Sequence, residues 1–165
     1  MTRLPYAAFL LLALVLVIDL ALTAPSLAEP IATHFDGMGN PNGWMSRNGY
    51  AAFMTVLGIG LPLLVMGMVR VAPAWFPRRL NIPNRSYWLA PDRREETIQF
   101  LNTHMAWLAT WMVSFVIAIH HLVLMANASQ PARLPHAAFF VVMGSFLAVV
   151  ALWAALLWYR FRRAP

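Results

Sequence analysis

The side chains able to do chemistry are few and unevenly placed. Asp19 sits in an otherwise apolar run, where an ionised acid costs roughly 2.5 to 3.5 kcal/mol at the centre of a membrane helix. Such a residue calls for a partner, and His121 lies at a similar depth of a later apolar run. Its helical phase, seven residues after Ser114, puts it on a small-residue face, while the adjacent His120 should point elsewhere. Three readings follow: an Asp19–His121 pair that holds helices together, a protonation or ligand role for that pair, or a neutral or snorkelling Asp19. His34 and His136 fall in turn-rich connections, and His34, His120 and His136 are weak candidates for a metal or a tetrapyrrole. No His-x3-His or His-Glu-x-x-His spacing supports a metal, so no cofactor is expected. A phosphate-cradling glycine loop, a nucleophile elbow and paired carboxylates at glycosidase-like spacing are also lacking, which argues against an enzyme.

The elements that position these residues are legible from composition. Of the 165 residues, 61% are hydrophobic and 11% charged, against roughly 45 to 50% and about 25% in soluble domains. With 0 Cys, disulfide scaffolds and thiolate metal sites are excluded. Uncharged runs near the ~20 residues needed to cross a hydrocarbon core extend over Tyr6 to Ala24, Tyr50 to Val69, Met105 to Ala126 and Ala137 to Tyr159. The expected fold is an all-α integral membrane domain: four transmembrane helices, with a structured outer loop between the first two. Arg3, the first apolar run and Ala24, Ser26 and Ala28 also imitate a signal peptide, and an uncleaved first helix is the expectation.

All 12 basic residues are arginine, and all but Arg47 and Arg133 belong to the N-terminus, the segment between spans two and three, or the C-terminus. Short cytoplasmic segments retain arginine, so both termini are expected to face the cytoplasm of a bacterial inner membrane. Trp75, Trp88, Trp107, Trp111, Trp158 and Tyr159 gather toward the same face as an aromatic belt. Arg78, Arg79, Arg93 and Arg94 are expected to meet lipid phosphates, and the charge of +6 reports topology and lipid rather than nucleic acid. Small residues repeat as Ala106, Thr110, Ser114 and Ala118 in span three and as Gly144, Ala148, Ala151 and Ala155 in span four. Both stripes are expected to be packing seams of the bundle, with an oligomer or partner interface as the alternative. In span two, Pro62 lacks a backbone donor and presses on the carbonyl of Gly58, which predicts a kink.

The outer loop, Ala28 to Gly49, carries a short extended piece from Ile31 to Phe35. Turn signals follow at Asp36-Gly37, Asn40-Pro41 and Asn42-Gly43, and Ser46 or Asn48 is placed to cap the next helix. The loop is expected to dock on the helix ends with His34, Phe35 and Trp44 as anchors, while Asp36, Asn40 and Asn42 satisfy its turns. A ligand site built on His34 and Asp36 is the functional alternative.

The run Pro30-Ile31-Ala32-Thr33-His34-Phe35-Asp36 through Gly39-Asn40-Pro41-Asn42-Gly43-Trp44 resembles the signature of a bacterial integral-membrane domain of unknown function. That domain also opens SdpI-type immunity proteins. The stretch Asn81 to Thr97 is similar to a segment seen in members of this group. Arg47 stands where the family usually has lysine, and the chain is shorter than the multi-helix SdpI body, so the resemblance implies a membrane fold and does not carry over toxin immunity. Two functions are therefore expected. One is a non-enzymatic accessory or structural subunit of a respiratory or photosynthetic complex or of a homo-oligomer, with the lipid bilayer and other membrane subunits as partners. The alternative is an immunity- or sensor-type module that binds a peptide or other ligand at its outer loop.

Overall fold

A computed structural model describes residues 3–75 and 82–163. Helix α1 runs over Leu4–Thr23, with Pro5 in the first turn, where its missing N–H has no intrahelical bond to lose, and ends in a 3-10 turn, Ala24–Ser26. Strands β1 (Ile31–Phe35) and β2 (Pro41–Met45) follow. The second span is composite: α2 (Arg47–Thr55), a π-helical turn (Val56–Gly60) and α3 (Leu61–Trp75). After a short α4 (Arg85–Trp88) come α5 (Arg94–Asn127) and α6 (His136–Arg162). Among the described residues, four helical segments are long and apolar enough to cross a membrane: Leu4–Ser26, Arg47–Arg70, Arg94–Asn127 and His136–Arg162. The segments expected from Tyr50 and Met105 thus begin earlier, at Arg47 and Arg94, because Ser46 caps α2 through Gly49 N–H (3.2 Å) and Glu95 and Glu96 suit the positive start of α5.

The all-α expectation is corrected by the loop, which closes as a two-stranded antiparallel sheet. Ile31 pairs with Met45 and Ala32 with Trp44; the register then shifts so that His34 meets Gly43 and Phe35 meets Pro41. A side chain at Gly43 would collide with the Cβ of His34 at 2.9 Å, so glycine allows this close approach.

Helix α5 is the spine, packing against α1, α3, α6 and the hairpin. Core residues Leu16 and Leu20 of α1, Tyr50 and Met54 of α2, and Val113, Val116 and Val123 of α5 meet in one buried cluster. The expected distortion near Pro62 takes the form of the π turn, in which Leu61 N–H reaches back to the carbonyl of Val56. Gly58 is buried inside that turn, and a Cβ there would overlap Leu16 of α1 and lie 3.1 Å from Val116 of α5. The wide turn therefore brings bare backbone against two neighbouring helices.

Helix α6 joins the bundle from one side. It starts at His136 near the hairpin, and Phe146 stacks on Phe115 of α5 with ring centroids 4.2 Å apart. Lower down, His104 and Trp153 stack at 4.9 Å and exchange hydrogen bonds: Trp153 Nε1–H donates to the His104 carbonyl (3.0 Å), and His104 Nε2 lies 3.1 Å from the Trp153 carbonyl. The C-terminal end is capped by α4: Trp88 Nε1–H donates to the Phe161 carbonyl and Asn84 Nδ2 to the carbonyls of Phe161 and Arg162, each at 3.1 Å. Helix ends need such donors for their last carbonyls. The two small-residue stripes differ. Ala106 and Thr110 of α5 are buried, whereas Gly144, Ala148, Ala151 and Ala155 of α6 are all exposed, because α6 turns its aromatic side toward α5. The expected seam on α6 is corrected accordingly.

The packing at Gly58 has a measurable consequence. Gly58→Ala is expected to lower stability by about 1 to 3 kcal/mol through overpacking, while Gly60→Ala, whose Cβ would meet only Val56 at 3.7 Å, stays near the native value. Thermal unfolding of the two variants in detergent checks this, and equal melting points would contradict the packing.

Candidate functional site

The polar centre lies at the hairpin end of the bundle, where the C-terminal part of α1, the start of α2 and the C-terminal part of α5 converge. His120 is completely buried, and both ring nitrogens are engaged. Nδ1 lies 2.6 Å from the Tyr50 hydroxyl and Nε2 lies 2.7 Å from Thr23 Oγ1. The Thr23 hydroxyl has one proton, and it donates that proton to the Asp19 carbonyl at 2.6 Å. Its oxygen must then accept from His120 Nε2–H, which leaves Nδ1 as the acceptor for the Tyr50 O–H. A neutral ring in the Nε2–H tautomer is fully satisfied by these two partners without a buried charge.

Asp19 lies beside this chain of bonds with its side chain 17% exposed. Its Oδ2 is 3.1 Å from His121 Nε2 and 4.0 Å from His120 Nε2. The His121 contact is an ion-pair distance without an aligned N–H, so Oδ2, shielded from solvent, has no directional hydrogen bond. The structure brings Asp19 and His121 together but corrects the expected roles of the two histidines. His121 is 56% exposed and reaches Asp19 from the bundle surface, whereas His120, expected to point away, forms the core of the network. Tyr50, the first apolar residue of the second run, was legible only as a span boundary, and its hydroxyl partner lies 70 residues away in sequence.

The hairpin covers the same end of the bundle. Ile31 and Ala32 are buried, and the Asn127 amide at the end of α5 brackets the Ala32 backbone: Ala32 N–H donates to Oδ1 (3.0 Å) and Nδ2 donates to the Ala32 carbonyl (2.9 Å). Leu134 N–H donates to the Gly39 carbonyl at 3.0 Å, and a Cβ at Gly39, whose φ is +81°, would lie 2.8 Å from His136 Nε2. Arg47 ties the base of the hairpin through Nη2 to the Leu27 carbonyl (3.0 Å) and through its N–H to Glu29 Oε1 (3.1 Å). The anchors are thus Ile31, Ala32 and Gly39, which corrects the expected trio. Trp44 is 54% exposed, His34 is exposed and bonds locally to Thr33 (3.2 Å), and Phe35 is half-buried. Alternation does not explain the difference, because the adjacent Ile31 and Ala32 are both buried; the start of β1 is enclosed where the strand meets α5, and Asn127, far away in sequence, holds the Ala32 backbone there.

Asp36 organises the turn. Its Oδ1 accepts from the N–H groups of Met38 and Asn40, both at 2.9 Å, and Oδ2 accepts from Asn40 Nδ2 at 3.3 Å. The Asn40 amide, with help from Met38, holds this carboxyl below its ordinary value of 3.8. Asn42 is exposed in β2. The turn takes both described bonds at Oδ1 and one at Oδ2, so a ligand at Oδ1 would compete with the turn's own backbone.

His34, His120 and His136 are held apart by these separate tasks, and among the described residues no group of three His, Cys, Asp or Glu side chains is placed to hold a metal ion. On the opposite face, Arg93 pairs with Asp92 (2.9 Å) and lies 4.0 Å above the Tyr87 ring, and Arg94 is exposed at the start of α5. Arg78 and Arg79 lie outside the described residues.

Residues 9–59 match a family described as "Domain of unknown function (DUF1648)". The matched segment includes Asp19, Thr23, the hairpin and Tyr50, while His120, His121 and Asn127 come from α5 beyond it. No curated protein and no solved structure matches the chain.

Two outcomes follow. Tyr50→Phe removes the donor to a buried ring nitrogen and is expected to cost about 1 to 3 kcal/mol, whereas the exposed Phe53→Leu changes stability by less than about 0.5 kcal/mol. Chemical or thermal denaturation in detergent distinguishes the two. For the turn, a carboxyl held below 3.8 contributes fully above that pH and is lost only as the pH falls through the lower folded value. Amide exchange at Met38 and Asn40, corrected for the intrinsic pH dependence, should show constant protection from pH 7 to about pH 4 and a decline only below. Loss of protection already between pH 6 and 5 would contradict this assignment.

Proposed function

We propose that the chain is a multi-pass protein of the bacterial cytoplasmic membrane, with both termini cytoplasmic, that acts without catalysis as an accessory or structural subunit of a larger membrane assembly. The four long apolar helices support the spanning, and the arginine distribution supports the orientation. The observation that carries the subunit reading is α6. No residue of its most apolar stretch is fully buried by the described part of the chain, and Gly144, Ala148, Ala151 and Ala155 form one exposed small-residue stripe along it. Helices associate in lipid through close packing at such faces, because apolar surface alone gives no preference for protein over lipid tails. Respiratory or photosynthetic complexes, or further copies of the chain, are the classes of assembly this reading offers.

A second reading, a sensor or immunity-type module, is favoured by the outer hairpin. Trp44 and Met38 are presented outward, 54% and 69% exposed, on an element that is otherwise firmly docked. An extended peptide or a ligand would meet those side chains first.

Purification of the full chain in a mild detergent tests the two readings. Stoichiometric retention of larger membrane subunits, lost on Gly144→Leu or Ala148→Leu with no change in the melting point of the isolated chain, is the expected result; a Cβ at Gly144 meets nothing within 4 Å, so the bundle itself tolerates the change. A lone chain stabilised by a peptide, with the effect lost on Trp44→Ala, would favour the hairpin reading. Reporter fusions at Asn40 and at the C-terminus should report the periplasm and the cytoplasm respectively.

A further inference from the structure

Between α1 and α3 the bundle leaves a groove that none of the described residues fills. Helix α1 meets the second span at α2 and the π turn; farther along, Tyr6, Phe9 and Leu10 form one wall and Leu63, Met66 and Gly67 the other. The space is about 280 Å³, near the lower limit of roughly 300 Å³ for small-molecule pockets, and suits a single chain-like segment. Gly67 keeps it open, since a Cβ there would have no heavy atom within 4 Å. The apolar part extends from Arg70 to Leu63, seven residues or about 10 Å of helix.

One end of the groove is polar. Arg70 stands there with its guanidinium 5.5 Å above the centre of the Tyr6 ring, and among the described residues it has no carboxylate within ion-pair distance. No acidic residue lines the groove. Asn102, from α5, closes the floor with a carbonyl oxygen, Oδ1, that is shielded from solvent and accepts no hydrogen bond. A buried acceptor without a donor costs free energy, so the site is incomplete as it stands. The three features call for different parts of one ligand: an apolar tail for the groove, an anion for Arg70 and a hydroxyl or N–H donor for Asn102.

We propose that this groove binds an anionic glycerophospholipid whose headgroup carries a free hydroxyl, as phosphatidylglycerol does, with one acyl chain between α1 and α3. The phosphate is held by Arg70, and the headgroup hydroxyl donates to Asn102 Oδ1. Arg70 ends the apolar part of the second span and Tyr6 begins that of the first, so both lie at headgroup level. The proposal rests on the reading that the helices span a bilayer, but not on the direction of the termini or on any partner subunit.

The test uses the full chain in nanodiscs of phosphatidylcholine, with and without a minor fraction of phosphatidylglycerol, and native mass spectrometry of the released protein. Phosphatidylglycerol is expected to be retained over phosphatidylcholine by at least roughly fivefold, and Arg70→Gln should remove most of that preference. Gly67→Leu keeps the charge but fills the groove, and it should abolish retention while leaving the helical circular dichroism unchanged. Asn102→Leu should lower the preference for phosphatidylglycerol over phosphatidic acid, which lacks the hydroxyl. Equal retention of phosphatidylcholine, or undiminished phosphatidylglycerol binding by Gly67→Leu, would overturn the site. Equal binding of soluble glycerol phosphate would overturn the lipid as its occupant. Failure of the chain to enter nanodiscs of either composition would instead overturn the spanning of the bilayer.

Discussion

A buried imidazole in apolar surroundings must have both nitrogens satisfied, and that constraint at His120 organises the hairpin end of this protein. Thr23 from α1 and Tyr50 from α2 supply the two partners, at 2.7 and 2.6 Å. Three helices are thereby locked in register by two bonds that cannot be exchanged for water. The proton inventory is closed as well: Tyr50 gives to Nδ1, Nε2 gives to Thr23, and Thr23 gives to the carbonyl of Asp19. A donor missing from this series would leave an acceptor stranded among Leu16, Leu20 and Val123, where nothing could replace it.

The segment matched by the domain of unknown function is not self-sufficient in this respect. It brings Thr23, Tyr50 and the hairpin, but the ring they enclose and the amide that clasps Ala32 are both on α5. His120 and Asn127 are seven residues apart, two helical turns, so they lie on one face of α5 and can address the helix pair and the strand together. The hairpin is accordingly part of the bundle. Its turn is closed by Asp36, its buried strand by Asn127, and its base by Arg47.

Toward the other end, saturation gives way to open surfaces. Gly58 permits α1 and α5 to touch the second span at the π turn, and below that point α1 and α3 stand on either side of the groove. Helix α6 touches the spine through aromatic stacking and the His104–Trp153 exchange, and its small residues face outward. The molecule therefore has one end tightened by polar contacts and a periphery shaped by what its helices leave uncovered.

Several of these features were decided by the sequence itself. Apolar run length and scarcity of charge specify four long helices, Ser46 and Asn48 mark where the second span can start, Pro62 announces the irregularity before it, and the Asp-Gly and Asn-Pro pairs announce tight turns. Each depends on local backbone chemistry or on transfer free energy, which neighbours along the chain suffice to set. Which of two adjacent histidines is buried was decided by tertiary structure. Residues 120 and 121 differ by about 100° in helical phase, and only the positions of Thr23 and Tyr50 select His120 for the interior. The same holds for the hairpin, where Asn127 fixes the start of β1 at Ala32 and leaves the aromatic Trp44 exposed, and for α6, whose stripe would serve equally as a seam or a surface. Those choices depend on contacts tens of residues apart in the chain, and a periodic pattern does not record which of its faces will find a partner.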